Sequence, residues 1–375
     1  MNARTADVSG GGPKTAKKPR IAYFDVLRAF LPIAIVAIHV FRVEPAWSAD
    51  SPRLVVTTVI NALLRFAVPI FIMISGALFL DPKKNFSFKK HFKKNVLKLL
   101  ICYFVWTIAY ALLDLHWRGW NVGNSDILRI FVSSLFGDGR YHLWFIMMII
   151  AMYLLVPVLR KITEDRALMK YFLVIGFVFC FALPTLAEYA DITLRTTGAS
   201  NSPIVAGLLI GAKELFRDFS NWLGLRYVVY FVGGYYFATE DFSFKRRLSL
   251  YILGGLGALN YVLISLLHGR IDETAFDSGV GLMGVGVAVY SIAVFVAVRY
   301  LLRKIKHVPT PISLMAKCSF GIYLIHAVFV DWYSKTIPRE NVPVWGMGVA
   351  TIAVYALSFV AVWVLSKVPL LKKVI

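Results

Sequence analysis

Motifs of soluble catalysis are missing from this chain. No P-loop, HExxH, CxxC or GxSxG occurs in its 375 residues. Cysteine is scarce: Cys102, Cys180 and Cys318 stand alone, each inside an apolar run. Their number is odd and no two share a metal-ligand spacing, so they read as small core residues and no metal is expected. Charge is thin, at 17% of residues, and acid is the scarcer sign, with 21 Asp and Glu against 41 Lys and Arg. No segment alternates with the period of two that an outer-membrane barrel requires. "GGLGALN" after Leu253 is only loosely like a dinucleotide-binding glycine pattern; without a βαβ context it reads as packing glycine.

What is present is hydrophobic. Apolar residues make up 58% of the chain and aromatics 15%, with a mean hydropathy of +0.68. Long apolar runs recur from Tyr23 to Val368, the pattern of one polytopic, all-α membrane bundle. Ten spans are expected, near 21–43, 54–80, 97–115, 142–159, 171–190, 222–238, 249–267, 280–300, 315–333 and 344–366, with both termini cytoplasmic. In that arrangement the inside segments hold more than twice the Lys and Arg of the outside loops. Positive-inside orientation therefore accounts for most of the +20 net charge, and nucleic acid is not expected as a partner.

Residues 1–20, rich in Gly, Ala and Lys, are expected to be a disordered basic segment ahead of a single domain, 21–375. The run after it exceeds the length of a signal-peptide core, is broken by charge and lacks a small-x-small cleavage site, so it is expected to stay as the first span. The loop 191–221 contains an apolar stretch too short to cross, which predicts a re-entrant or interfacial helix.

The first span, "YFDVLRAFLPIAIVAIHVF", carries Asp25, Arg28 and His39. At about 100° and 1.5 Å per residue, His39 falls roughly 20° from Arg28 and about 16 Å further along the axis. Asp25, one turn before Arg28, lies near the same side and can pair with it. One face of this helix is thus polar from its inner end to its outer half. A snorkelling Arg and a packing His would explain either residue singly. Together on one face, beside an acid, they suit a site, because an ionisable group costs roughly 2.5–3.5 kcal/mol at the centre of a span.

Other polar residues follow. Arg65 lies in the second span, which ends with the small pair Ser75-Gly76. Seven lysines stand between Lys83 and Lys98. They read either as a lipid-phosphate surface or as a basic funnel for a polyanion, with Lys93, Lys94 and Lys98 as its candidate anion-binding residues. Arg140, His142 and Trp144 cluster where the fourth span opens. Arg226 and Gly233-Gly234 mark the sixth span, and Tyr323 and His326 the ninth, the latter at about the depth of His39.

Arg28 followed by ten residues and His39 resembles the signature of the acyltransferase-3 family of integral membrane acyltransferases. "FDVLRA", "FIMISGALF", "HLWFIMMIIAMYLLVPVL" and "CSFGIYLIHAVF" agree in order, over about residues 21–366. The resemblance is strongest to the single-domain members that O-acetylate surface polysaccharides, the enterobacterial common antigen acetyltransferase type. It implies transfer of an acyl group, usually acetyl from acetyl-CoA, to a hydroxyl of an envelope polysaccharide or lipid-linked sugar at the bacterial inner membrane. The family's first-span Arg and His fall on Arg28 and His39. Its Arg-x-x-Arg at the start of span three falls on Asn95 and Lys98, a departure for which Lys94 is the substitute. His39 is then the expected base or acyl-accepting nucleophile, assisted by Arg28 and Asp25. The CoA phosphates are expected at Lys93, Lys94 and Lys98, and the acceptor near Arg140, His142, Trp144, Tyr323 and His326.

The rival reading is a transporter or flippase of a glycan-lipid or small anionic solute. It predicts an internal repeat, and the Arg28/His39 pattern has no counterpart near the middle of the chain.

Overall fold

A chain in hydrocarbon must satisfy every backbone N–H and C=O internally, which leaves helices as the economical answer for a sequence without alternating strands. The computed structural model describes residues 21–42, 51–119, 123–136, 140–197, 202–222, 227–271, 281–305, 307–338 and 342–375, and among them there is no strand. The basic segment 1–20 and Arg226 lie outside the described residues.

In chain order the α-helices are α1 (Ala22–Val40), α2 (Pro52–Leu64), α3 (Ala67–Phe79), α4 (Phe88–His91), α5 (Leu97–Trp117), α6 (Asn124–Phe136), α7 (Trp144–Glu164), α8 (Arg166–Phe177), α9 (Leu183–Thr196), α10 (Pro203–Trp222), α11 (Val228–Thr239), α12 (Phe244–Ile271), α13 (Val285–Leu301), α14 (Thr310–Thr336) and α15 (Val344–Leu365). A π turn, Phe92–Val96, joins α4 to α5, and another, Val178–Ala182, joins α8 to α9.

Among the described residues eight helical stretches are long and apolar enough to cross a membrane. The sixth and eighth expected spans are the shorter helices α11, of 12 residues, and α13, of 17. At 1.5 Å per residue α11 covers roughly 18 Å of a ~30 Å hydrocarbon core. It can be short because it sits inside the bundle, with Val228 to Gly234 all buried. Gly76 and Gly234 bring the backbones of α3 and α11 together: a Cβ on either would run into the other helix's main chain. The re-entrant segment expected in 191–221 corresponds to α10, whose apolar part, Pro203–Ala212, is shorter than a span.

Proline sets the breaks. A proline lacks the N–H that would bond the carbonyl four residues earlier. Pro69 so frees the carbonyl of Arg65, where α2 ends and α3 begins. Pro157 frees the carbonyl of Tyr153, and the His91 ring takes it through Nε2 at 2.9 Å. Pro32 does the same to Arg28 within α1. At the Lys-rich end, the Arg160 guanidinium donates to the carbonyls of Phe79, Asp81, Pro82 and Lys84, closing off the end of α3.

The helices of the two chain ends meet. α1 packs along α14 and α15, with Tyr355 Oη donating to the Ala29 carbonyl at 3.2 Å. Both α1 and α14 start at the Lys-rich end, so residues at matching depths face each other.

Candidate functional site

Two cavities lie one above the other beside α1. The first, about 420 Å³, is at the Lys-rich end. It is lined by Arg28 from α1, Ser75 from α3, Lys94 and Asn95 from the π turn, Lys98 from α5, and Lys317 and Ser319 from α14. Among the described residues four cations and no carboxylate line it. The π turn explains why Lys94 and Asn95 both reach it: i→i+5 bonding widens the turn and brings adjacent residues onto one face. Lys93, by contrast, does not line the cavity.

The second cavity, about 90 Å³, lies towards the other end of α1. His39, Arg65, His142 and Trp144 line it. Phe71, Phe145 and Tyr323 belong to the walls of both cavities, so three aromatic rings stand between the cationic space and the histidine space.

Around His39 the packing is aromatic. Its ring lies on His326, with centroids 5.3 Å apart and planes 27° from parallel, and Tyr141 stands 4.6 Å away. His142 is 5.0 Å from His326 and 5.4 Å from Tyr323, centroid to centroid. His326 is fully buried, and its Nδ1 contacts the Tyr323 carbonyl at 2.6 Å. A carbonyl only accepts, so Nδ1 carries the proton and Nε2 is left as a bare acceptor; it has no hydrogen-bond partner among the described residues. His142 points Nε2 at the Leu324 carbonyl, 3.4 Å away, and its buried Nδ1 is likewise unpartnered among the described residues. Tyr323 Oη donates to the carbonyl of His142, which ties the start of α7 to α14. No group of three or more His, Cys, Asp or Glu suited to a metal ion occurs among the described residues.

The remaining predicted residues have other surroundings. Asp25 is buried and lines neither cavity. His326 sits behind His39, off the cavity wall. Arg140 is engaged twice, by Asp114 at 2.9 Å and by Asp331, and it lies 5.6 Å from the ring centres of both Tyr110 and Tyr141. It clasps α5 to α14 just before α7.

Sequence reasoning singled out Tyr323 but missed Lys317, Ser319 and the other two dividing aromatics, Phe71 and Phe145, and did not place Arg65 beside His39. A signal for α14 was available: Ala316, Ser319, Phe320 and Tyr323 follow i, i+3, i+4, i+7, and all four line the cationic cavity.

Comparison with known proteins bears on what this arrangement does. The family described as "Acyltransferase domain" matches residues 21–367. Over 316 residues the chain is 26% identical to a protein of Bacillus subtilis (strain 168) named "Putative membrane-bound acyltransferase YfiQ", covering 81% of this chain and 80% of that one. No solved structure matches.

Proposed function

The chain belongs to the acyltransferase-3 family and is a multi-pass membrane acyltransferase, and from that premise we propose that it carries an acyl group, acetyl by preference, from cytoplasmic acyl-CoA to a hydroxyl of an envelope polysaccharide or lipid-linked sugar in the bacterial inner membrane. The observation that carries the proposal is the pair of cavities that share Phe71, Phe145 and Tyr323. A polyanionic, water-soluble donor fits the space lined by Arg28, Lys94, Lys98 and Lys317, at the end where the positive-inside rule puts the cytoplasm. Its pantetheine arm is thin and flexible. It would carry the thioester past the three rings, the roughly 16 Å of helix rise from Arg28 to His39.

In the histidine space the acceptor hydroxyl approaches from the outer side, past Trp144. His39 takes the hydroxyl proton as oxygen attacks the thioester carbonyl; the C–S bond then breaks, and the CoA thiolate recovers the proton from the imidazolium. Ester and free thiol are the products. His326, stacked on His39 and fixed in one tautomer by its own helix, holds that imidazole in place. Arg65 and His142 face the same space and are positioned to bind the acceptor or the developing oxyanion.

The test is release of CoA thiol from acetyl-CoA by protein in lipid, with bacterial glycan-lipid extract as acceptor. Wild type is expected to release thiol and His39→Ala to lose about 10²–10⁴-fold of that rate. Equal rates for the two proteins would remove His39 from the chemistry. No turnover and no acetyl-CoA binding by either would bring the transporter reading forward.

A further inference from the structure

A third cavity, about 580 Å³ and larger than either of these two, lies elsewhere, among α8, the π turn after it, α11 and α13. It shares no lining residue with the two site cavities. Its interior is apolar: Phe177, Phe181, Val229 and Ala288 form much of the wall, with Gly233 at one side. The two adjacent glycines of α11 therefore do different work. Gly234 lets α11 touch α3, whereas a Cβ on Gly233 would sit in ordinary contact, 3.8 Å from Leu173 and Phe237, without a clash, on the wall of the cavity. On the opposite rim Val174 and Val178 are 62% and 38% exposed, an apolar edge that in a membrane faces acyl chains rather than water.

Besides the hydroxyls of Tyr230 and Tyr236, the polar side chains lining this cavity are two cations near the starts of α8 and α12. Lys170 and Arg246 line it there, both exposed, and neither forms an ion pair among the described residues. The nearby acids are already engaged: Glu240 pairs with Arg166, and Asp241 with Arg299 at 3.5 Å. Two cations without an ion-pair partner among the described residues therefore stand at the Lys-rich surface above an apolar slot. From Lys170 to Phe181 the helix rises roughly 16 Å, about half the ~30 Å hydrocarbon core and so the depth of one leaflet. A cationic mouth at headgroup level, an apolar slot one leaflet deep and a side open to lipid match one molecule class.

We propose that this cavity is a binding site for an anionic phospholipid of the cytoplasmic leaflet, its phosphate held by Lys170 and Arg246 and one acyl chain laid in the slot against Gly233. Bound there, the lipid backs α11 and reaches Met73 of α3, the helix that also supplies Phe71 to the catalytic cavities. The site is independent of the acyl-transfer reading and stands or falls without it.

Native mass spectrometry of protein equilibrated with equimolar phosphatidylglycerol and phosphatidylcholine tests the proposal. Wild type is expected to retain one phosphatidylglycerol in preference to phosphatidylcholine. The double variant Lys170→Gln/Arg246→Gln changes only exposed side chains and should weaken retention by about 30-fold, at about a few-fold to tenfold per cation. Gly233→Leu fills the slot and should abolish retention of either lipid; should it not fold, the charge variant decides alone. Unchanged phosphatidylglycerol retention in the charge variant overturns the proposal, as does equal retention of both lipids by wild type. Inorganic phosphate raising the Tm as much as phosphatidylglycerol overturns it too, by making this a soluble-anion site.

Discussion

The two ends of the proposed passage are built on opposite plans. At the Lys-rich end Arg28, Lys94, Lys98 and Lys317 reach into an open cavity on long side chains, three of them contributed by flexible lysines. At the histidine end, Arg65 apart, the polar groups are rings held by short contacts: His326 by its own helix, His142 by Leu324, and Tyr323 by the carbonyl of His142. Loose cations suit a ligand that must be caught and released, since each contributes a modest, additive and salt-sensitive attraction. A fixed imidazole suits chemistry, which depends on geometry more than on attraction. Capture should therefore degrade gradually under mutation, and chemistry abruptly.

Substitutions can test that contrast. The largest effect is expected at Arg140, which braces the histidine end. Arg140→Ala leaves Asp331, only 12% exposed, and Asp114 without their cation. A loss of about 2–4 kcal/mol is expected, discounted for the partial exposure of Asp114, and should appear as a lowered Tm in detergent. An unchanged Tm would mean the clasp is ornamental.

Next is Tyr323→Phe, at the boundary between the cavities. Losing the bond to His142 should lower kcat about tenfold through misplacement of the ring cluster, with KM for acyl-CoA unchanged. A rise in KM instead would assign Tyr323 to the capture side.

The smallest effect belongs to single lysines. Lys98→Ala should raise KM for acyl-CoA about fivefold without touching kcat, and Lys94→Ala and Lys317→Ala should each add a similar factor. High salt should erase the differences. A fall in kcat from any one of them would break the contrast between the ends.

The chain announced its membrane character and the Arg28/His39 face plainly, because hydropathy and helical spacing are local properties. It did not announce what three prolines do. Pro32, Pro69 and Pro157 each stand four residues after a cavity-lining residue, Arg28, Arg65 and Tyr153. That coincidence is invisible until the cavities are known. Lys317 was hidden for another reason: a lysine near the cytoplasmic end of a span is what orientation alone predicts, so its second use leaves no mark. The shortness of α11 was also illegible, since it depends on burial by α3, and a sliding hydropathy window cannot tell a helix sheathed by neighbours from one bathed in lipid.

The pairing of α1 with α14 has a consequence for how the protein is made. His39 emerges from the ribosome almost at once, but His326 follows nearly three hundred residues later. At about 5–20 residues per second that interval is tens of seconds, during which Arg28 and His39 wait in or beside the membrane without the helix they are meant to face. A chain that stops before Thr310 has α1 without the helix that packs most extensively along it. The proposed site is thus completed only when one of the last helices of the chain is made.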